Sequence, residues 1–455
     1  MHTSPNEGEL RALLNNGDVD SANPGAPGGN RGVWRRLALL VLLALALRLV
    51  VVGFEYRDQL KPRMDHWPYG YETGRIARAI ASGRGFSDPF FAQTGPTAWM
   101  GPIYPYILAG VFKVFGIYTA ASAIVILSLN SLFSALTCVP VFFLARESFG
   151  DRMGIVSAWA WAIFPYAVFF SADWIWETCL TTLLLSVLFV FTIYLARAPR
   201  LAVWIGFGVT WGVAALSSPA VLSLLPFLGG WVCYRLHQHG EKWFRPATVA
   251  AIFFFLTLVP WGLRNYRTFH KFIFVRDNFW LEIWVGNHGD TSMFATAHPS
   301  TSTEEADEYG RVGELAYMAE KRRGVLAFIE EHPGWVALMS FRRFIFNWTC
   351  LWSLPEGRVV EEFDPDEPFD PANIIFCTAL TVLSLVGLRR AFLEHADTRW
   401  LYAFALVFFP LLYYLSKTHI RYRHPIDPEL VILAVYALAT WRRGSARGRP
   451  AALGK

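Results

Sequence analysis

The residues able to do chemistry fall in a few polar stretches of an otherwise apolar chain. Asp65 and Glu72 lie in the stretch 55–102, together with Glu55, Asp58 and Asp88, and Asp173 and Glu177 lie four residues apart, one helical turn, in "SADWIWETCL". Basic residues crowd two other places. Lys417, Arg421, Arg423 and His424 fall in "KTHIRYRHPIDP" (417–428), and Arg264 falls in "PWGLRNYRTFHKF" (260–272). A carboxylate can take the proton from an attacking hydroxyl. Arginine and lysine can neutralise a departing phosphate through charge-assisted hydrogen bonds, which arginine makes in pairs. An acid cluster facing a basic cluster at the level of lipid headgroups suits a reaction on a lipid-linked phosphate. The sequence has no Walker loop, no GxGxxG turn after a strand, no HExxH and no CxxC pair, so it supports neither a nucleotide-binding fold nor a structural zinc site.

The elements that must hold these residues are membrane spans. Of 455 residues 54% are hydrophobic and only 17% are charged, against roughly 25% in an ordinary soluble domain. Apolar runs near the roughly 20 residues that cross a bilayer recur at 36–54, 121–145, 154–172, 177–196, 201–218, 220–235, 246–263, 373–388, 400–416 and 427–441. The expected fold is therefore an all-α polytopic membrane protein, a bundle of about ten transmembrane helices. Residues 1–35 form a polar tail without the features of a cleaved signal, and the five cysteines read as small apolar residues rather than disulfide partners or ligands.

Basic loops thread the chain. "RGVWRR", "ARESFGDR", "ARAPR", "YRLHQHGEKWFR", "LRRAF" and the basic tail 443–455 stay on the cytoplasmic side if "PIYPYILAGVFKVFGIY" (102–118) and "PGWVALMSFRRFIFNWTCLW" (333–352) lie at the interface instead of crossing. Mid-depth charges such as Arg342 and Arg343 cost roughly 2.5 to 3.5 kcal/mol each, which favours that arrangement. The resulting organisation is a transmembrane part 36–263 containing a first outer loop 55–120, an outer region 264–372 with surface helices, and C-terminal spans in 373–442. Both termini are then cytoplasmic, and the basic loops at 260–272 and 417–428 face outside, against the usual charge bias. Headgroup anchoring would explain such loops, and a phosphate-binding task would explain them as well. "ETGRIARAIASG" reads as a short surface helix that begins at Glu72 and ends at Gly83; Glu72 there could equally serve the helix dipole.

The order of "YETGRIARAIASGRGFSDPF", "GPTAWMGPIYPYILAGVFKVFG", "ALSSPAVL", "PWGLRNYRTFHKFIFVRDNFWLEIWVGN", "GELAYMAEKRRGVLAFIEEHPGWVALMSFRR" and "RYRHPIDPEL" resembles the GT-C superfamily of integral-membrane glycosyltransferases, over residues 36 to 440. Within it the chain is most similar to bacterial relatives of the dolichyl-phosphate-mannose protein mannosyltransferases, glycosyltransferase family 39 and the aminoarabinose-transferase-like group. The resemblance implies an inverting transfer of a hexosyl or pentosyl unit from a polyprenyl-phosphate donor to a lipid, glycan or protein acceptor. It places that reaction on the extracytoplasmic face of a bacterial-type inner membrane, in cell-envelope glycan synthesis or protein glycosylation. It also implies that Glu72 or Asp65 is the base, with Glu72 preferred, and that Asp173 or Glu177 supplies a second acid. Arg264, Arg421 and Arg423 would then hold the donor phosphate, with Lys417 and His424 near it and Arg48 in reserve.

Some members of the superfamily use a divalent metal, which Asp173, Glu177 and Glu72 would hold. The compact Asp-x-Asp pair is absent, so no cofactor is expected, and nothing points to nucleic acid. Two other readings share the membrane topology. A polysaccharide ligase with a lipid-diphosphate donor would have the same basic loops but not the long acidic loop after the first span. A transporter or flippase would place charge near mid-membrane in repeated halves, whereas here charge gathers at one face.

Overall fold

The computed structural model describes residues 27–59, 69–197, 200–288, 298–300, 302–351 and 371–447, with the backbone alone at 27–31, 55–59 and 442–447. Among the described residues the chain is helical apart from one antiparallel bridge between Ser87 and Pro96. In chain order the helices are α1 (Pro27–Gln59), α2 (Glu72–Ala81), α3 (Ile103–Phe115), α4 (Ala120–Leu136), α5 (Cys138–Phe149), α6 (Asp151–Ala162) and α7 (Pro165–Ala172). They continue with α8 (Thr178–Leu195), α9 (Leu201–Ser217), a 3-10 turn Pro219–Leu224, α10 (Leu225–Gln238), α11 (Phe244–Phe269), α12 (Phe279–Gly286), α13 (Thr303–Val312), α14 (Glu314–Glu331) and α15 (Pro333–Thr349). The last are α16 (Pro371–Leu393), α17 (Arg399–Phe408), α18 (Leu411–Leu415), α19 (Ile420–Arg423) and α20 (Asp427–Arg447).

Each of the ten apolar runs is helical over most of its length. Six helical stretches among the described residues are long and apolar enough to cross a bilayer, and α6 with α7 is so only when the two, bent by 44°, are taken together. The 17 residues of Leu201–Ser217 reach about 26 Å at 1.5 Å per residue, just under the hydrocarbon thickness. α3 has 13 residues, too few to cross, and packs on α2.

Packing follows residue size. α9 meets α11 through Gly208 and Gly212, one turn apart. A Cβ at Gly208 would collide with the carbonyl of Ala250, and one at Gly212 would lie 2.5 Å from Cβ of Thr257. Such small-residue contacts let two backbones approach where lipid supplies no hydrophobic drive between helices.

The bend between α6 and α7 leaves the Ala162 carbonyl without a helical donor, while the Trp161 carbonyl accepts from the Phe164 N–H at 3.2 Å in place of the N–H that Pro165 lacks. Arg48 in α1 donates Nη1 to the carbonyls of Ala44 and Ala162, each at 2.9 Å, reaches the Trp161 carbonyl at 3.4 Å through Nη2, and donates Nε to Ser134 Oγ at 3.0 Å. Ser134 Oγ in turn donates to the Ala167 carbonyl at 2.9 Å. Backbone polar groups inside a bilayer must find such partners.

Two sequence expectations need correction. Cys350, after α15, and Cys377 in α16 are joined as a disulfide, and Cys138, Cys179 and Cys233 are free. The pair is 27 residues apart in two apolar segments, so spacing carried no sign of it. Asp173 and Glu177 do not share a helical turn either: residues 173–177 form the non-helical link between α7 and α8.

Candidate functional site

The start of α2 and the 173–177 link meet because of one glycine. Gly70 has φ +69°, and a Cβ on it would sit 2.5 Å from the carbonyl oxygen of Ile175. Only glycine takes that conformation at no steric cost while allowing so close an approach. The link is also held from below, where the Tyr104 hydroxyl donates to Asn130 Oδ1 and Asn130 Nδ2 donates to the Trp174 carbonyl, both at 2.9 Å. Glu72 and Glu177 thereby come to the wall of one cavity of about 260 Å³.

The opposite wall is basic and aromatic. α18, α19 and the loop between them bring Tyr413, Lys417, Arg421 and Tyr422 to the cavity, and the segment entering α12 adds Arg276, Asn278 and Glu282. The Arg421 guanidinium lies 3.8 Å from the ring centre of Trp176 and donates Nη2 to the Tyr422 hydroxyl at 3.2 Å. Burial favours its neutral form, but Tyr422, Glu177 and Glu72 outweigh that and raise its pKa. Lys417 behaves likewise: burial acts to lower its pKa, and Glu282, with Oε2 3.7 Å from Nζ, does most to turn the balance upward. Burial pushes the Glu282 carboxyl up, yet the cations beside it, Lys417 first and then Arg276 and Arg421, hold it below its ordinary value. The cavity thus keeps both signs of charge ionised at neutral pH.

Glu72 is buried, and its Oε1 accepts a hydrogen bond from Ser300 Oγ. His298 Nδ1 is 3.9 Å from the same oxygen, within ion-pair range. The proton count argues against an ion pair. Burial first, and then Lys417, hold His298 down at about 4, and its Nδ1 accepts from the Ser300 N–H at 3.1 Å, which requires an unprotonated nitrogen. His298 is therefore neutral at pH 7. Asn278 donates Nδ2 to Glu282 Oε1 at 3.0 Å, which fixes the amide orientation and leaves Oδ1 as a buried acceptor without a hydrogen bond.

The remaining sequence candidates lie elsewhere. Arg264 spends its donors on the carbonyls of Thr97 and Phe86, both at 2.6 Å, and so braces the extended segment that presents Trp99 and Met100 to the cavity. Arg423 is fully buried, donating Nε to Asp427 Oδ1 and Nη1 to the Asn347 carbonyl, both at 3.0 Å. His424 Nδ1 meets Asp427 Oδ2 at 2.9 Å, and its ring stacks on Trp161. Arg48 serves the α6/α7 bend, Asp173 closes the end of α7 outside the cavity lining, and Asp65 lies outside the described residues. Among the described residues no three His, Cys, Asp or Glu side chains come together as a metal site.

Sequence reasoning passed over Glu282, Asn278, Arg276 and His298. The signal for Glu282 was available: a lone carboxylate inside the aromatic helix "FWLEIWVG" is costly unless a cation meets it.

The fold is similar to that of GT-C membrane proteins, and the apolar helices make the chain an integral membrane protein. Residues 99–263 match the sequence model of the dolichyl-phosphate-mannose-protein mannosyltransferase family, so the superfamily likeness read from the sequence is borne out. The archaeal oligosaccharyltransferase AglB from Archaeoglobus fulgidus, solved with an inhibitory peptide and a dolichol-phosphate, is similar at 15% identity and a TM-score of 0.52, over 92% of this chain and 52% of that one. The same enzyme solved with Zn and sulfate gives 15% identity and 0.53, over 90% and 50%. The chain thus spans about half the length of these structures. ArnT from Cupriavidus metallidurans bound to undecaprenyl phosphate is similar at 13% identity, with a TM-score of 0.39 over 90% of this chain and 79% of that one. No curated protein matches the chain.

Proposed function

We propose that the chain is an inverting glycosyltransferase that moves a sugar from a polyprenyl-phosphate donor to a hydroxyl acceptor at the extracytoplasmic face of the membrane. The observation that carries this is the single cavity in which Glu72 and Glu177 stand across from Arg421 and Lys417. In the reaction, Glu72 takes the proton of the acceptor hydroxyl, whose oxygen attacks the anomeric carbon from the face opposite the phosphate. The bond from that carbon to the phosphate oxygen breaks, and the polyprenyl phosphate leaves with the electron pair. Arg421 and Lys417 hold the leaving phosphate, because both stay charged in the buried site and the guanidinium presents a planar fork. Asn278 Oδ1 accepts from a sugar hydroxyl. The aromatic wall of Trp99, Trp176, Tyr413 and Tyr422 keeps water from competing as acceptor.

The dolichol-phosphate seen with the oligosaccharyltransferase of similar fold supports a polyprenyl phosphate as the lipid. The Cys350–Cys377 disulfide supports an oxidising, extracytoplasmic setting for that end of the molecule. The test uses purified protein in lipid vesicles with a panel of radiolabelled polyprenyl-phosphate sugars. Wild type transfers or releases sugar from at least one donor, and Glu72→Gln loses turnover by about a hundredfold or more. A Glu72→Gln protein that turns over like wild type moves the base elsewhere, and silence with every donor refutes the reading.

A further inference from the structure

The helices that build the candidate active site have other ends, and those ends build a second site. The stretch Pro219–Gln238 begins at the cavity wall with Pro219 and has 20 residues, about 30 Å at 1.5 Å per residue, the thickness of the hydrocarbon core. α17 and α18 run between the same two levels, from Arg399 to the Lys417 loop. At the far level, α10 and α17 part to leave a groove of about 570 Å³.

The groove changes character along its length. Its mouth is polar, with Arg235 beside Asp397, Arg399 donating to the Ala396 carbonyl at 3.1 Å, and Tyr234 and Trp400 beside them. Its depth is apolar, reaching Pro226 about 14 Å further along α10 and Phe404 about 8 Å along α17, where Phe227 stacks on Phe408. Gly230 lies on the groove wall, and a Cβ there would meet nothing within 4 Å, so the groove is open in the middle.

Arg235 is loosely held. Its Nη1 is 3.4 Å from Asp397 Oδ1 and its Nε makes no hydrogen bond. Among the side chains that line the groove, Arg235, Arg399 and Asp397 sum to one positive charge, matching the single negative charge of a phosphodiester. Exposed Trp400 and Tyr234 sit where aromatic side chains favour the membrane–water boundary. Basic pockets between span ends are suited to acidic headgroups.

We propose that the groove between α10 and α17 binds one anionic glycerophospholipid from the leaflet opposite the candidate active site, its phosphate at Arg235 and Arg399 and one acyl chain past Gly230 to Phe404. The occupant is a lipid rather than a soluble phosphate ester because the groove continues from the charged mouth into an apolar stretch lined by Pro226, Phe227 and Phe404.

Native mass spectrometry of the detergent-purified full chain tests this with added phosphatidylglycerol, phosphatidylcholine and soluble glycerol phosphate. Wild type retains one phosphatidylglycerol at a concentration about tenfold below that needed for phosphatidylcholine, whose own cation would meet the arginines. Arg235→Gln with Arg399→Gln removes the preference, and Gly230→Leu, which fills the channel without touching the charges, removes the bound lipid. Equal retention of the two lipids by wild type, or undiminished retention by Gly230→Leu, overturns the proposal. Displacement of the lipid by glycerol phosphate at equal concentration transfers the site to soluble phosphate esters. The wild-type comparison needs no variant, so a misfolded mutant does not remove the test.

Discussion

Arg421 and Arg423 are two residues apart in "IRYR", and replacing each by glutamine should give opposite phenotypes. Arg421 is at the cavity, its charged end beside Trp176 and the Tyr422 hydroxyl. A charge-assisted hydrogen bond contributes about 1.5 to 3 kcal/mol, and the guanidinium can make two to a phosphate. Loss of a donor aimed at developing negative charge typically costs about a hundred- to a thousandfold in turnover, so Arg421→Gln should lower kcat by about that factor with the fold intact. Arg421→Lys keeps a charge but loses the planar fork and the stacking on Trp176, and should fall between the two.

Arg423 is buried against Asp427, itself fully buried. Arg423→Gln leaves that carboxylate with His424 alone, and breaking a buried pair costs about 3 to 5 kcal/mol, a large share of the about 5 to 15 kcal/mol that holds a domain folded. Its yield of folded protein should drop sharply, while turnover per folded molecule stays within about threefold of wild type. The assay is sugar transfer from a radiolabelled polyprenyl-phosphate donor in vesicles, normalised to the monodisperse fraction on size exclusion. Wild-type turnover in Arg421→Gln, or a well-folded but inactive Arg423→Gln, would refute the division of labour.

Three further outcomes are expected. In Glu282→Gln the chief group raising the Lys417 pKa is gone and burial then dominates, so the alkaline limb of donor KM against pH should move to lower pH. By the same linkage, the stabilisation from Lys417, whose folded pKa is raised, is present below its unfolded value and lost as pH rises through the folded one. That from Glu282, whose folded pKa is lowered, is present above its unfolded value and lost as pH falls through the folded one. The pair therefore supports the fold across the neutral range, which thermal unfolding of wild type and Glu282→Gln at acid, neutral and alkaline pH would check. Gly70→Ala should cost about 1 to 3 kcal/mol and lower turnover, through its positive φ and the collision with Ile175, read by melting temperature and kcat. Mass-tagging of the denatured, unreduced chain should find three free thiols, Cys138, Cys179 and Cys233, rising to five after reduction.

What the sequence revealed depended on whether the signal was local. Span helices were legible because bilayer thickness imposes a length of apolar residues that each run carries by itself. α2 was legible too, from Glu72 at its start to Gly83 with φ +81° just beyond its end. The base candidate Glu72 and the basic loop at 417–428 stood out as charges beside apolar runs, although helix-dipole stabilisation and headgroup anchoring would explain them too. The division among arginines was not. Arg48, Arg264, Arg421 and Arg423 are the same residue type near apolar segments, and only the neighbours tell them apart: carbonyls at a bend, carbonyls of an extended segment, a cavity, and a buried aspartate. The disulfide and the meeting of Glu282 with Lys417 join segments 27 and 135 residues apart, and no pattern within either segment encodes the other.

The tie from Arg48 to the bend between α6 and α7 has a consequence for how the chain is made. A ribosome delivers α1 to the membrane about a hundred residues before the bent pair, so when the pair enters, its open Ala162 carbonyl finds a donor already in place. Arg48 alone would be a poor passenger in lipid, and the bent pair alone would carry an unmet carbonyl at Ala162; each is the other's ticket into the bilayer. Synthesis order thus becomes part of the architecture. A circularly permuted gene that produced α6 and α7 ahead of α1 would encode the same contacts yet present the bent pair to the insertion machinery without its partner.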